Sequence, residues 1–168
     1  MEDKKYFFKP DKKMLKQGFY MEDENGKMIY EAKMTKWSLF GAMKFEFVNH
    51  ISNKTCEHDV GKTVTSSEGG PFEGLSINSR FKFDKKNIWD YLHEEGIRID
   101  SDISNKKLGM TYTVTLKGKK IATIMTSSIG KTIITSKYCY DVITNEENLD
   151  FAFLVTFAFA RTEQIFYD

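Results

Sequence analysis

"NLDFAFLVTFAFARTEQIFYD", residues 148–168, closes the chain, and its reading decides the fold. Ten consecutive residues, Phe151 to Ala160, carry no charge. A spanning helix needs roughly 20 predominantly apolar residues, and Arg161 and Glu163 cut this run off short of that. Its flanks, "TNEEN" and "RTEQ", are not the Lys/Arg clusters of a cytoplasmic membrane face. Phe151, Phe153, Val155, Phe157 and Phe159 alternate with smaller residues, a period that suits a strand. The ends favour a helix instead. Asn145 or Asn148 can cap an N-terminus, Glu146, Glu147 and Asp150 sit against the positive end of its dipole, and Arg161 lies near the other end. A helix apolar on every side must be wrapped on every side. In a chain of 168 residues, only surrounding β-structure can do that.

The rest of the sequence supplies strands. Aromatic residues make up 14% and prolines number only 2, which leans towards β. "GFYMEDENGKMIYEAKM" reads as a hairpin about Asn25-Gly26, a pair suited to a type I′ turn because both central residues need positive φ. "KWSLFGAMKFEFVN", "GKTVTSS" and "GLSINSRFKF" read as further strands, and "EGGP" (68–71) as a loop. "MTYTVTLKGKKIATIMTSS" is a second hairpin about Gly118. There Tyr112, Val114 and Leu116 face one way and Thr111, Thr113 and Thr115 the other. "GKTIITSKYCYDV" continues the sheet. One short helix, "NIWDYLHEE", is capped by Asp84 and ended by Gly96. The pattern Y-x5-G-K-x-I occurs at Tyr20–Ile29 and again at Tyr112–Ile121, fitting a sheet of two similar halves. No linker divides the chain, so residues 1–168 form one domain.

Strand hairpins followed by a hydrophobic terminal helix ending in "F-x-D" resemble the tubby C-terminal-like superfamily. The pattern is closest to LURP-one-related proteins and their bacterial relatives, with phospholipid scramblases more distant. The residues that carry it are "NLDFAFLVTFAFARTEQIFYD", with "ENGKMIYEAK" and "LKGKKIATI" in support. The resemblance implies a mainly β fold: a roughly twelve-stranded closed β-barrel around the buried C-terminal helix, with one additional short helix. Tubby proteins bind phosphoinositide headgroups through basic residues, but no motif here aligns with those. Scramblases carry an acidic segment before the last helix. "YDVITNEENLD" stands in that place without the alternating Asp-x-Asp spacing of a calcium loop, and helix capping explains its acids more simply. The cysteine-rich palmitoylation run of scramblases is absent.

Local motifs for chemistry are lacking. "CEHD", Cys56 to Asp59, offers a thiol, an imidazole and two carboxylates, but His50 and His93 stand in no paired spacing with it. It reads as a polar turn rather than a zinc site. There is no G-x-S-x-G and no H-E-x-x-H. "SSEGGPFEG" lacks the Lys-Ser/Thr of a phosphate loop and carries Glu68 and Glu73, which would repel phosphate. Neither a metal nor a cofactor is expected. Cys56 and Cys139 have no redox spacing and no secretory signal opens the chain, so reduced thiols in a cytoplasmic protein are expected.

Charge gives one signal. The net charge is +1, so any anionic partner must be met by a local patch. From Ile103 to Tyr140 there is no Asp or Glu, while Lys106, Lys107, Lys117, Lys119, Lys120 and Lys131 all occur. Lys117, Lys119 and Lys120 bracket a hairpin tip, where each lysine near an anionic membrane is worth about 1 kcal/mol. "KKYFFKPDKKMLK" adds lysines around Tyr6, Phe7 and Phe8, which suits a membrane interface or a first strand whose lysines keep a sheet edge soluble. Near-neutral charge and the absence of RNA-binding motifs rank nucleic acid below lipid. The expected function is a non-enzymatic module that binds anionic phospholipid or phosphoinositide headgroups, peripheral to a membrane. The alternative is a protein-interaction or scaffold domain without lipid affinity.

Overall fold

The structure, a computed structural model, describes residues 2–11, 18–37, 43–51, 54–60, 92–102, 111–126 and 139–167. The described strands are β1 (Lys4–Asp11), β2 (Gly18–Asp23), β3 (Met28–Trp37), β4 (Met43–Asn49) and β5 (Lys54–Val60) in the first part of the chain. They continue with β6 (Ile97–Asp102), β7 (Thr111–Leu116), β8 (Lys119–Thr126) and β9 (Tyr140–Thr144). All nine join one antiparallel sheet in the order β5-β4-β3-β2-β1-β9-β8-β7-β6. The helix Leu149–Tyr167 follows β9 after a short 3-10 turn, Glu146–Asn148. The fold is therefore mainly β with a C-terminal helix. The sheet as described has two outer strands, β5 and β6, and is not closed. The strands expected over 61–67 and 74–83, most of that over 130–142, and the start of the short helix lie outside the described residues. The end of that helix is seen at residues 92–94, and Gly96 terminates it at φ +95.

The terminal run is helical, and it is buried as its composition demands. Ala152 to Ala158 and Ala160 are all at most 1% exposed. The one polar side chain among them, Thr156, satisfies its hydroxyl by donating to the Ala152 carbonyl at 2.7 Å. Alternation within the run misleads because Ala152, Leu154, Thr156, Ala158 and Ala160, which fill the remaining positions, are buried as well, so this stretch has no polar face. Asn145 caps the preceding 3-10 turn, its Oδ1 accepting from the Asn148 N–H at 3.1 Å. Asp150 does not serve as a cap alone: its Oδ1 accepts from the Tyr30 hydroxyl (2.6 Å) and from Asn49 Nδ2 (3.0 Å), tying the helix start to β3 and β4.

Ring contacts show how the sheet holds the helix. Phe153 stacks on Tyr30 at 4.4 Å and lies 5.6 Å from Phe8. Phe157 meets Phe47 at 4.9 Å and Phe19 at 5.9 Å. Two residues on, about 200° round the helix, Phe159 packs against Tyr112 at 4.6 Å and Tyr140 at 6.3 Å. Phe47 belongs to β4 and Tyr112 to β7, six steps apart in the sheet. Flat, those steps would span about 29 Å, whereas a helix is only about 10–12 Å across. The sheet must curl round the helix for both to touch it.

Three readings are corrected. "CEHD" is no turn: it lies within β5, where Cys56 opposes Phe47 and His58 opposes Phe45 in the register with β4. β6, "IRIDSD", was not anticipated, although Ile97 and Ile99 alternate with Arg98 and Asp100. β1 is no edge strand. It is paired on both sides, to β2 and β9, so Lys5 and Lys9 lie on the outer face of the middle of the sheet, while Lys4 stands at the strand's exposed start.

The two halves do repeat. β1-β2-β3-β4 and β6-β7-β8-β9 are both four-strand meanders, joined where β1 meets β9. Ile29 and Ile121, Tyr30 and Ala122, and Ala32 and Ile124 are buried at matching positions of β3 and β8. A register shift interrupts both hairpins, at Met21/Glu22 and at Val114/Thr115. The tyrosines of the sequence echo do not correspond. The first turn is one residue longer, and a one-residue offset swaps faces. Tyr20 therefore sits beside Lys9 and Glu31 on the outer face, while Tyr112 packs inward on Phe159.

Candidate anionic-surface interface

Strand pairing brings distant residues to one rim. The pairs Lys4↔Thr144, Tyr6↔Asp23, Glu22↔Met28, Tyr30↔Asn49, Ile97↔Leu116 and Leu116↔Lys119 fix the direction of each strand. Both hairpins, the Asn49–Ile51 turn, Gly96 and the start of the helix therefore stand at the same end of the sheet.

At this rim the second hairpin turns in two residues. Lys117 has φ +50 and Gly118 has φ +85, so the type I′ turn expected at Asn25-Gly26 occurs here instead. Among the described residues Lys117 is the one non-glycine with positive φ. An L-residue in this region costs about 1–2 kcal/mol. Two contacts hold it there. Its N–H donates to the Gly96 carbonyl at 2.9 Å, and its side-chain stem crosses Gly96 so closely that a Cβ on that glycine would stand 2.8 Å from Lys117 Cγ. Gly96, in the turn that leads into β6, thus positions the lysine.

Lys117, Lys119 and Lys120 are exposed. None makes an ion pair among the described residues. Arg98, not foreseen from the sequence, extends the group. Register puts it opposite Thr115, which itself opposes Lys120, and Arg98 Nη1 donates to the carbonyls of Ile97 (2.9 Å) and His93 (3.3 Å). Its signal was the alternation of "IRID". Glu94 and Glu95 are exposed beside Gly96 and reduce the local excess of positive charge. Lys106, Lys107 and Lys131 lie outside the described residues.

The N-terminal lysines behave differently. Lys4 pairs with Glu146 at 3.3 Å, Lys5 with Asp141 at 3.3 Å and Lys9 with Glu22. The Glu146 carboxylate raises the pKa of Lys4, and the Glu22 carboxylate raises that of Lys9. Phe7 lies between Lys5 and Lys9, whose ammonium groups stand 5.2 and 5.8 Å from its ring centroid. Each lysine of β1 is thus matched by a carboxylate.

Asp141, Glu146 and Asp150, from the acidic segment before the helix, are thus engaged with Lys5, Lys4 and the Tyr30–Asn49 pair. Among the described residues no group of three His, Cys, Asp or Glu could hold a metal ion. Among the same residues no helix is long and apolar enough to cross a membrane. Comparison of the chain with family models, with curated proteins and with solved structures returned no match.

Proposed function

We propose that this chain is a non-enzymatic, tubby-like module that binds anionic phospholipid surfaces peripherally through its β7–β8 hairpin. In this reading the remaining strands complete a roughly twelve-stranded closed barrel about the terminal helix, in the manner of LURP-one-related proteins. The observation that carries it is the contrast among lysines. Those of β1 are matched with carboxylates, whereas Lys117, Lys119 and Lys120 project from a strained turn with no carboxylate partner among the described residues. Backbone strain of this kind persists where the surroundings over-determine it, and it concentrates at functional positions. Several lysines held near an anionic leaflet give a salt-sensitive affinity of about 1 kcal/mol each. Lys106, Lys107 and Lys131 belong to the same acid-free stretch of the sequence.

The test is co-sedimentation with neutral and with anionic vesicles at low and physiological salt. Binding to anionic vesicles alone, weakened by salt and lost in the Lys117→Glu/Lys119→Glu/Lys120→Glu variant, is expected. Equal binding by that variant, or none by the parent chain at either salt, would overturn the reading. A protein-interaction module without lipid affinity would then stand in its place.

A further inference from the structure

Two large hydrophobic side chains are exposed among the described residues, Met28 at 38% and Ile51 at 50%. Both stand at the β3–β4 end of the rim: Tyr30 opposes Asn49 in the register, and the His50 N–H donates to the Ile29 carbonyl at 2.9 Å, with Met28 next to Ile29 and Ile51 next to His50. Below them the structure is well anchored: Ile29 and Tyr30 are buried, and Ile51 N–H donates to Asn49 Oδ1 at 2.9 Å. The pair therefore stands on a firm base at the rim that also carries Lys117, Lys119 and Lys120.

Four inter-strand steps separate β3 from β8 in the sheet order, roughly 20 Å measured along the sheet. Salt screens the lysines but not the uncharged pair, so the two act on an approaching surface by different means. A discrete headgroup would reach one of them, whereas a flat bilayer reaches both. We infer that Met28 and Ile51 form a second, apolar anchor of the same docking rim, entering the interfacial layer of an anionic bilayer while the β7–β8 lysines meet its headgroups. This rests on the membrane-surface reading above and gives it an orientation, with the rim down and the strands rising from the bilayer. It also divides the affinity into a salt-sensitive part at one hairpin and a salt-insensitive part at the other. Interfacial binding grows with buried apolar area as well as with charge, which is why a near-neutral chain gains from both.

Two measurements test it with vesicles of phosphatidylcholine and of phosphatidylcholine mixed with phosphatidylserine. The Met28→Ser/Ile51→Ser variant alters exposed side chains only and keeps the fold. It should bind the mixed vesicles about five- to tenfold more weakly, with the salt dependence unchanged. In the Ile51→Trp variant, emission beyond that of Trp37 and Trp89 should shift to the blue with mixed vesicles and be quenched by brominated acyl chains. If the serine variant binds like the parent chain and the introduced indole stays unquenched while lysine reversal abolishes binding, the apolar anchor is wrong and the lipid reading survives. If the parent chain binds no vesicle, both fall.

Discussion

The β2–β3 and β7–β8 hairpins occupy the same place in their respective halves, yet they are built to opposite specifications. Both lead from a strand with a register shift into a turn at the same rim. The first turn is closed by its own residues. Asp23 Oδ1 accepts from the N–H groups of Asn25 and Lys27 at 2.9 Å each, and only Gly26 takes positive φ. The Gly26 N–H donates to the Asp23 carbonyl at 3.0 Å, the pattern of a type I turn followed by a left-handed glycine. The second turn has no side-chain clasp of this kind, places a lysine where asparagine or glycine is favoured, and relies on Gly96, which precedes the neighbouring strand β6. One hairpin is optimised locally. The other gives up local stability and carries the uncompensated charge, so the repeat conserves geometry while chemistry diverges.

The strongest way to break the comparison is to remove what both halves share. Phe157, 1% exposed, touches Phe19 and Phe47 of the first half, on the same helix whose Phe159 meets Tyr112 and Tyr140 of the second. Phe157→Asp would leave a charge without a partner in this core, so folding should be lost. A cooperative thermal transition in that variant would show that the helix is not the common core.

Turn exchanges sharpen the comparison with smaller effects. Asp23→Ala strips two N–H groups of their acceptor and should destabilise by about 1–2 kcal/mol. Lys117→Asn should do the reverse, stabilising by about 1 kcal/mol by relieving the left-handed lysine. In a domain of this size that is a rise of about 3 °C in Tm. Calorimetry that found both variants destabilised would deny the contrast between the turns.

A third, smaller difference is in pH dependence. Among the described residues, the four groups whose pKa is raised all lie in β1 and β2. Lys4 and Lys9 are held protonated by Glu146 and Glu22, and burial keeps Tyr6 and Tyr20 neutral. Each favours its protonated form in the fold. Their contribution is therefore complete below the unfolded values, 10.5 for lysine and 10.0 for tyrosine, and is lost as pH rises through the higher folded values. Tm should hold through neutral pH and decline from about pH 10, and Glu22→Gln should soften the decline. A Tm that stays level into that alkaline range would show these contacts to be energetically silent.

Hydrophobic pattern made much of this legible beforehand. The terminal run, the two hairpins and the inward set Tyr112, Val114 and Leu116 all follow from burial, and burial is written in residue type. The lysines of "LKGKK" were equally plain, because an exposed tip shows its charge in composition. Arg98, Met28 and Ile51 were not, since their role depends on which strand ends meet.

The sequence by itself determined that strands must enclose an apolar helix, because no other partner in a chain this short could cover a helix without a polar face. It also determined that positive charge gathers at the second hairpin. Only the tertiary structure decided that β1 lies in the middle of the sheet, since pairing with β9 depends on residues more than a hundred positions away. The same long-range ladder decided which lysines are matched by carboxylates and which are left at the rim. Hydrogen bonding between strands is indifferent to side-chain charge. The charges that end up side by side are thus a consequence of register, and register is complete only when the whole sheet has formed.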